Sequence, residues 1–300
     1  MKFFTLFAFI LQIFAAAAMD KPSRSVIRTG DGVGLHYAQS GPRNGRRILF
    51  ITGWRQAAAE WRKQVEHFSS SGFRVTTFDM RGHGESEEPD FGYRISRFAA
   101  DLNDVLSELN LCDVTVVGHS MGCSVAWAWW DQYPDSRKRI AKFVFADQAP
   151  IMTRNPAWTD NEAAQYSAIF TPESLYDLAN NLAIQGPPLI RSMFTTSVSE
   201  ADLEWVISQN NKMTDAHAAT LLIDHGLNDW RDVFPRITIP TLVIGGELSV
   251  MPPQGIEWVA SKIPAAKSHI FTAVENGSHF VFWENPERFN ELVEKFIRQS

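Results

Sequence analysis

The chain has 300 residues, 45% of them hydrophobic, and sets 28 Lys and Arg against 34 Asp and Glu for a net charge of −6. That length allows one large core with an inserted subdomain, or at most two domains. The mild negative balance, with no long basic block, gives nucleic acid no foothold as a partner.

The first eighteen residues differ in kind from the rest. Lys2 supplies a short positive start, and Phe3 to Phe14 are apolar except for Thr5 and Gln12. Ala15-Ala16-Ala17-Ala18 then offers a small-residue cleavage site ahead of Met19. This pattern predicts a secretory signal peptide over residues 1–18, and therefore a secreted protein. A bilayer span needs roughly 20 apolar residues, which this stretch lacks, and no later segment supplies them. An uncleaved anchor or a true start at Met19 is the alternative.

Beyond it, short β-branched and aromatic runs alternate with amphipathic stretches. Strands are predicted at 34–39, 47–52, 74–79, 114–118, 140–146, 241–246 and 267–272. Helices are predicted at 57–70, 95–109, 121–133, 254–263 and 286–298. This alternation predicts an α/β fold, a mostly parallel sheet flanked by helices. It is interrupted once. Residues 151–235 contain no convincing strand, only helical pattern broken by Gly186-Pro187-Pro188. So long and apolar a stretch predicts a helical cap rather than a loop, leaving 25–150 and 236–300 as the core. Trp158, Tyr166, Phe170, Leu175, Leu182, Met193, Phe194, Trp205 and Trp230 give the cap its large apolar faces.

Cys112 precedes a predicted strand and Cys123 lies in the helix beyond it. A strand climbs about 3.3 Å per residue, so their separation exceeds the roughly 7 Å limit for a disulfide. Two buried free thiols are expected.

Between those elements lies Gly118-His119-Ser120-Met121-Gly122. A serine between two glycines, on a sharp turn from strand to helix, has the form of a nucleophile elbow. The glycines remove side chains that would strike neighbouring backbone, and Ser120 is held clear of the sheet. A serine hydroxyl needs a neighbouring base. His279, in a Gly-Ser turn after the last predicted strand, is the candidate. His36, His67 and His269 fall in or beside ordinary elements, and His217 and His225 belong to the cap, so their claims are weaker. No His, Cys, Asp or Glu cluster has zinc-ligand spacing, and no cofactor is implied.

Elbow, strand order, helical insertion and C-terminal histidine together resemble the α/β-hydrolase superfamily across residues 25–300. Gly53-Trp54 stands where that family usually shows His-Gly. Phe78-Asp79-Met80-Arg81-Gly82-His83-Gly84-Glu85-Ser86 resembles its FDxRGxGxS loop, and Gly277-Ser278-His279-Phe280 resembles its histidine segment. The resemblance implies a catalytic triad, with Arg81 and His83 mainly structural.

The family usually places the triad acid after the seventh strand, where this chain has Gly246-Glu247-Leu248-Ser249. Ser249 occupies the acid's position and carries no charge. Some members bear the acid one strand earlier, and here that strand ends at Asp147. The resemblance therefore implies Asp147 as the acid, with Glu247 as the alternative. Donors for a developing oxyanion are expected from the Met121 N–H at the helix N-terminus and, by analogy, the Trp54 N–H.

These residues imply a secreted serine esterase or lactonase acting on a small, largely apolar molecule. A thioesterase would look the same. Cofactor-independent dioxygenases of the same superfamily also carry the acid after strand six, and Gly53-Trp54, His119-Ser120 and Pro89-Asp90-Phe91-Gly92-Tyr93 resemble them too. Their extra histidine after the Gly-Trp pair is Gln56 here. A non-catalytic binding protein is the third reading. The sequon Asn276-Gly277-Ser278 abuts His279, and its Asn-Gly pair is expected to serve the turn rather than carry a glycan.

Overall fold

Val114–His119 and Thr241–Gly246 are buried along their whole length, as strands covered on both faces must be. They sit inside one sheet of a computed structural model that describes residues 23–299; the expected signal peptide lies outside the described residues. The strands are β1 (Ser23–Arg28), β2 (Gly34–Ser40), β3 (Arg47–Ile51), β4 (Arg74–Phe78), β5 (Val114–His119), β6 (Ile140–Ala146), β7 (Thr241–Gly246) and β8 (Ala266–Phe271). Their order is β1-β2-β4-β3-β5-β6-β7-β8. β2 runs antiparallel to both β1 and β4, and every pairing from β4 onward is parallel.

All seven predicted strands are present, with ends moved by no more than a residue or so. The sequence reading missed β1. It is an edge strand with little to bury, since Val26 is 57% exposed, so its apolar signal is faint.

Helices α1 (Arg62–Ser70), α2 (Ile95–Glu108) and α3 (Met121–Gln132) occupy the first half of the chain. The helix predicted from residue 57 starts as a 3-10 turn, Ala58–Trp61, before α1. Between β6 and β7 lie α4 (Asp160–Gln165), α5 (Pro172–Asn180), α6 (Leu182–Ser192), α7 (Glu200–Asn210) and α8 (Asp215–Leu227). The chain closes with α9 (Pro253–Lys262), α10 (Val281–Glu284) and α11 (Pro286–Arg298). No helix among the described residues is long and apolar enough to cross a membrane.

The helical pattern is not broken at Gly186-Pro187-Pro188, because α6 runs through both prolines. Each proline forgoes one bond to the carbonyl four residues back, at Ala183 and Ile184. Both of those residues are exposed, Ile184 by 77%. Water can take the bonds that the ring cannot supply.

Two apolar cores sandwich the sheet. One holds Phe98, Leu102, Trp127 and Trp129 from α2 and α3. The other holds Trp61 with Phe68, Phe282, Trp283 and Phe289. Trp61, Trp127, Trp129 and Trp283 are wholly buried, and each such side chain removes roughly 150–250 Å² from water, worth about 4–6 kcal/mol before entropy is counted.

One cysteine departs from expectation. Both thiols are free, but Cys112 is exposed while Cys123 is buried. Cys112 comes just before β5, beyond the N-terminal end of a central strand, and is exposed there. Cys123 sits on the inner face of α3, its Sγ 3.1 Å from the carbonyl of Gly118.

Candidate active site

The turn from β5 into α3 is as tight as its two glycines suggest. A Cβ on Gly122 would lie 2.6 Å from the Thr52 carbonyl, and one on Gly118 would lie 2.8 Å from the Cys123 nitrogen. Real Cβ atoms do not approach so closely, so only glycine fits. Ser120 itself takes φ 51 and ψ −126, a region that costs a non-glycine residue about 1–3 kcal/mol and persists only where the surroundings over-determine it. Its N–H donates to the Ala146 carbonyl at 2.9 Å, tying the elbow to the tip of β6.

That same tip carries Asp147, also left-handed at φ 57, a conformation that aspartate tolerates better than most residues. The carboxylate is fully buried. Its Oδ2 accepts a hydrogen bond from His279 Nδ1 at 2.5 Å, and a second from the Ser249 hydroxyl. Oδ1 accepts from the Gly246 N–H at 3.2 Å. Burial pushes the carboxyl pKa upward, against the opposing pull of His279, Ser249 and Gly246. Ser249, at the usual acid's position, thus supplies a proton donor to the acid on the neighbouring strand. Its own Oγ accepts from the Met251 N–H at 2.9 Å.

Glu247 lies elsewhere. Its side chain is exposed, and Oε2 accepts from the Ala273 N–H at 2.7 Å. It shares no hydrogen bond with His279.

His279 is 1% exposed and is held at its backbone from two sides. Its N–H donates to the Met193 carbonyl of the cap at 3.1 Å. Its carbonyl accepts from His119 Nε2 at 2.8 Å, which requires that nitrogen to carry its proton. The preceding Asn276 adopts the left-handed conformation, at φ 53 and ψ 48, as a turn-forming Asn-Gly pair should.

Opposite the elbow, residues 53–56 form a pinned loop. Gly53 N–H donates to Gln56 Oε1 at 2.5 Å, and Gln56 N–H to the Gly53 carbonyl at 3.2 Å. Arg55 has φ 60, and its N–H donates to His83 Nε2 at 3.1 Å. His83 donates its Nδ1 proton to the Arg81 carbonyl at 2.9 Å, and burial lowers its pKa to about 4, so the ring is neutral. Arg81 is wholly buried, paired with Asp101 at 2.7 Å and Asp31 at 2.9 Å. Both residues therefore buttress the loop. The Trp54 N–H is left over. Among the described residues, neither it nor the Met121 N–H donates to a protein acceptor.

Ser120, His279, Trp54 and Gln56 line one cavity of about 240 Å³. Among the described residues Ser120 Oγ holds no hydrogen bond of its own, and bonds from a nucleophile to its base commonly tighten only when substrate binds. The walls are apolar, with Met152, Phe170, Leu189, Met193 and Leu222 from the cap side and Val250 and Met251 from the loop after β7. Among the described residues no Asp, Glu, Lys or Arg side chain lines it. A larger depression, about 620 Å³, lies beside β2 and α1 but contains none of these groups.

Three of the histidines set aside from sequence are structurally occupied. His36 faces Asp79 at 3.7 Å, His67 binds Glu294 and His217 binds Glu88, both at 2.8 Å. His225 is different, for it lines the cavity. Nothing in its sequence neighbourhood signals this, because a helix face pointing at a distant loop leaves no local pattern.

Residues 46–286 match a family profile described as alpha/beta hydrolase fold. The chain is 27% identical over 280 residues to a putative non-heme chloroperoxidase of Synechocystis sp., covering 89% of this chain and 95% of the relative. An esterase from Exiguobacterium antarcticum superposes with a TM-score of 0.82 at 22% identity, covering 92% of this chain and 99% of that one. The enol-lactonase from Burkholderia xenovorans LB400 gives 0.74 at 23% identity, covering 92% and 100%. At such identities the two structures speak for the fold.

Proposed function

This chain belongs to the α/β-hydrolase family, and from that premise we propose that it is a serine hydrolase cleaving a carboxylic ester or lactone of a small, uncharged, largely apolar molecule. The observation that carries the proposal is the pairing of a strained serine elbow with a buried, carboxylate-bound histidine at one apolar cavity. Likeness in fold to an esterase and an enol-lactonase supports it.

In this reading Ser120 Oγ attacks the substrate carbonyl while His279 Nε2 takes its proton. Asp147 holds Nδ1–H, fixes the tautomer and stabilises the imidazolium. The unengaged N–H groups of Trp54 and Met121 receive the oxyanion, each worth on the order of 3–4 kcal/mol in such sites. His279 then returns the proton to the leaving alcohol, and water resolves the acyl-enzyme by the same route. The absence of charge from the cavity wall disfavours ionic substrates, whose burial unpaired would cost several kcal/mol.

A fluorophosphonate probe tests this directly. It should label the protein at Ser120 and leave Ser120→Ala unlabelled. No labelling, with no ester or lactone turnover, would overturn the reading. Oxygen consumption without ester turnover would point instead to the dioxygenase chemistry.

We also propose that the protein is secreted after loss of residues 1–18, on the strength of their charge and apolar pattern. N-terminal sequencing of protein from the culture medium should begin near Met19. Retention of the full chain inside the cell would refute it.

A further inference from the structure

His225 is a buried imidazole whose Nδ1 finds no hydrogen-bond partner among the described residues. It sits on α8, 3% exposed, and lines the same cavity as Ser120 and His279. Nδ1 is sealed from solvent with no hydrogen-bond partner. Desolvation lowers its pKa to about 3, with no nearby charge contributing, so the ring is neutral. Every other histidine at or near the site is engaged: His279 by Asp147, His119 by the His279 carbonyl, and His83 by Arg55 and Arg81.

A polar group held without a partner in an apolar wall carries a desolvation penalty. Nδ1 is closed even to water, so it is at Nε2, for which no hydrogen bond is found among the described residues, that a substrate group in the cavity can meet the ring. We propose that His225 is a specificity-determining residue, which hydrogen-bonds a second, neutral polar group of the substrate (a hydroxyl or carbonyl) set apart from the reacting ester or lactone carbonyl. The proposal rests on the serine hydrolase reading of this same cavity.

The chemistry narrows the substrate class. A neutral imidazole offers one donor and one acceptor, so it serves either a hydroxyl or a carbonyl. It carries no charge to draw a carboxylate into the cavity, and no lining side chain supplies one. The substrate class is therefore a hydroxy- or oxo-substituted ester or lactone rather than a plain alkyl ester or an acid. A site built to hydrogen-bond such a group rejects the analogue that lacks it, because its own polar atom is then left unpaired.

The test uses aryl esters matched in chain length, with and without a hydroxyl or oxo group on the acyl chain, and a parallel lactone pair. The wild-type protein should favour a substituted member by about tenfold or more in kcat/KM. His225→Leu should bring that ratio close to one, and His225→Gln, which keeps a neutral donor and acceptor, should retain part of it. The wild-type preference should be flat from pH 5 to 8, since a ring with a pKa about 3 does not titrate there. A wild-type protein indifferent to substitution at every position would overturn the proposal, and that holds even if His225→Leu fails to fold. An equal loss on plain and substituted substrates in His225→Leu would mark a purely structural role and overturn it too. If no ester or lactone turns over and Ser120 takes no probe, the hydrolase reading has failed instead.

Discussion

The floor and the roof of the cavity are built by opposite means. The floor, made of the strand tips and their loops, is over-determined by hydrogen bonds. Asp147 takes three, Gly53, Arg55 and Gln56 are each pinned, and Ser120 is held strained between β5 and β6. The roof, formed by the insertion between β6 and β7, contributes Met152, Phe170, Leu189, Met193 and Leu222, and a histidine whose Nδ1 has no partner. On the proposed serine hydrolase reading the difference is a division of labour: chemistry needs fixed geometry, and recognition needs a shaped surface with one polar point.

The largest expected effect strikes the floor. Ser120→Ala should lower kcat on the order of 10⁵-fold or more, as removing a triad nucleophile does, with the fold intact by circular dichroism. Asp147→Asn should follow at about 10⁴-fold, because the imidazole loses its tautomer and its counter-charge. Adding Ser249→Asp to that variant should recover at least about tenfold, since Ser249 already reaches Asp147 from the neighbouring strand. Glu247→Gln should stay within about threefold, being engaged at the surface by Ala273. Should Glu247→Gln prove the more damaging, the acid has been assigned to the wrong loop.

Stability sharpens the same contrast. Gly122→Ala drives a Cβ to 2.6 Å from the Thr52 carbonyl, and should cost up to about 3 kcal/mol, seen as a lower urea midpoint. Gly186→Ala in the roof meets only Arg55 Nη1 at 3.9 Å, and should be neutral or gain about 0.5 kcal/mol from helix propensity. Equal effects from the two would erase the distinction.

Acid should weaken both regions through their buried neutral histidines. His83 protonates at about 4 and His225 at about 3 in the folded protein, against 6.5 when exposed. Between those values the unfolded chain binds more protons, so stability is full above pH 6.5 and falls as the pH drops. Each histidine should cost about 2 kcal/mol at pH 5. His225→Phe should remove its share of the fall in unfolding free energy between pH 7 and 5 and leave the His83 share in place. An unchanged slope would mean that His225 is not held neutral.

The floor was the more legible region. Gly118-x-Ser120-x-Gly122 announces itself because the steric demand on its glycines is local, settled within five residues. Strands such as 140–146 and 241–246 were found to the residue, since burial over most of their length leaves a largely apolar run, interrupted in the first by Lys142. The edge strand β1 and the passage of α6 through Pro187 and Pro188 were not, because solvent there meets needs that the sequence pattern cannot show. Cys112 was misread as buried for a related reason: its residue type favours the interior, but its place beyond the sheet decides otherwise.

The sequence by itself determined the α/β alternation and the elbow at Ser120, each a pattern of residues near in the chain, and the family, which several such local patterns carry together. Only the tertiary structure decided that Asp147 rather than Glu247 meets His279, that Ser249 serves that carboxylate, and that His225 faces the cavity from the cap. The two hydrogen bonds to Asp147 join residues 102 and 132 positions apart. Hydrogen-bond geometry selects among such partners within tenths of an ångström, and no local pattern records it.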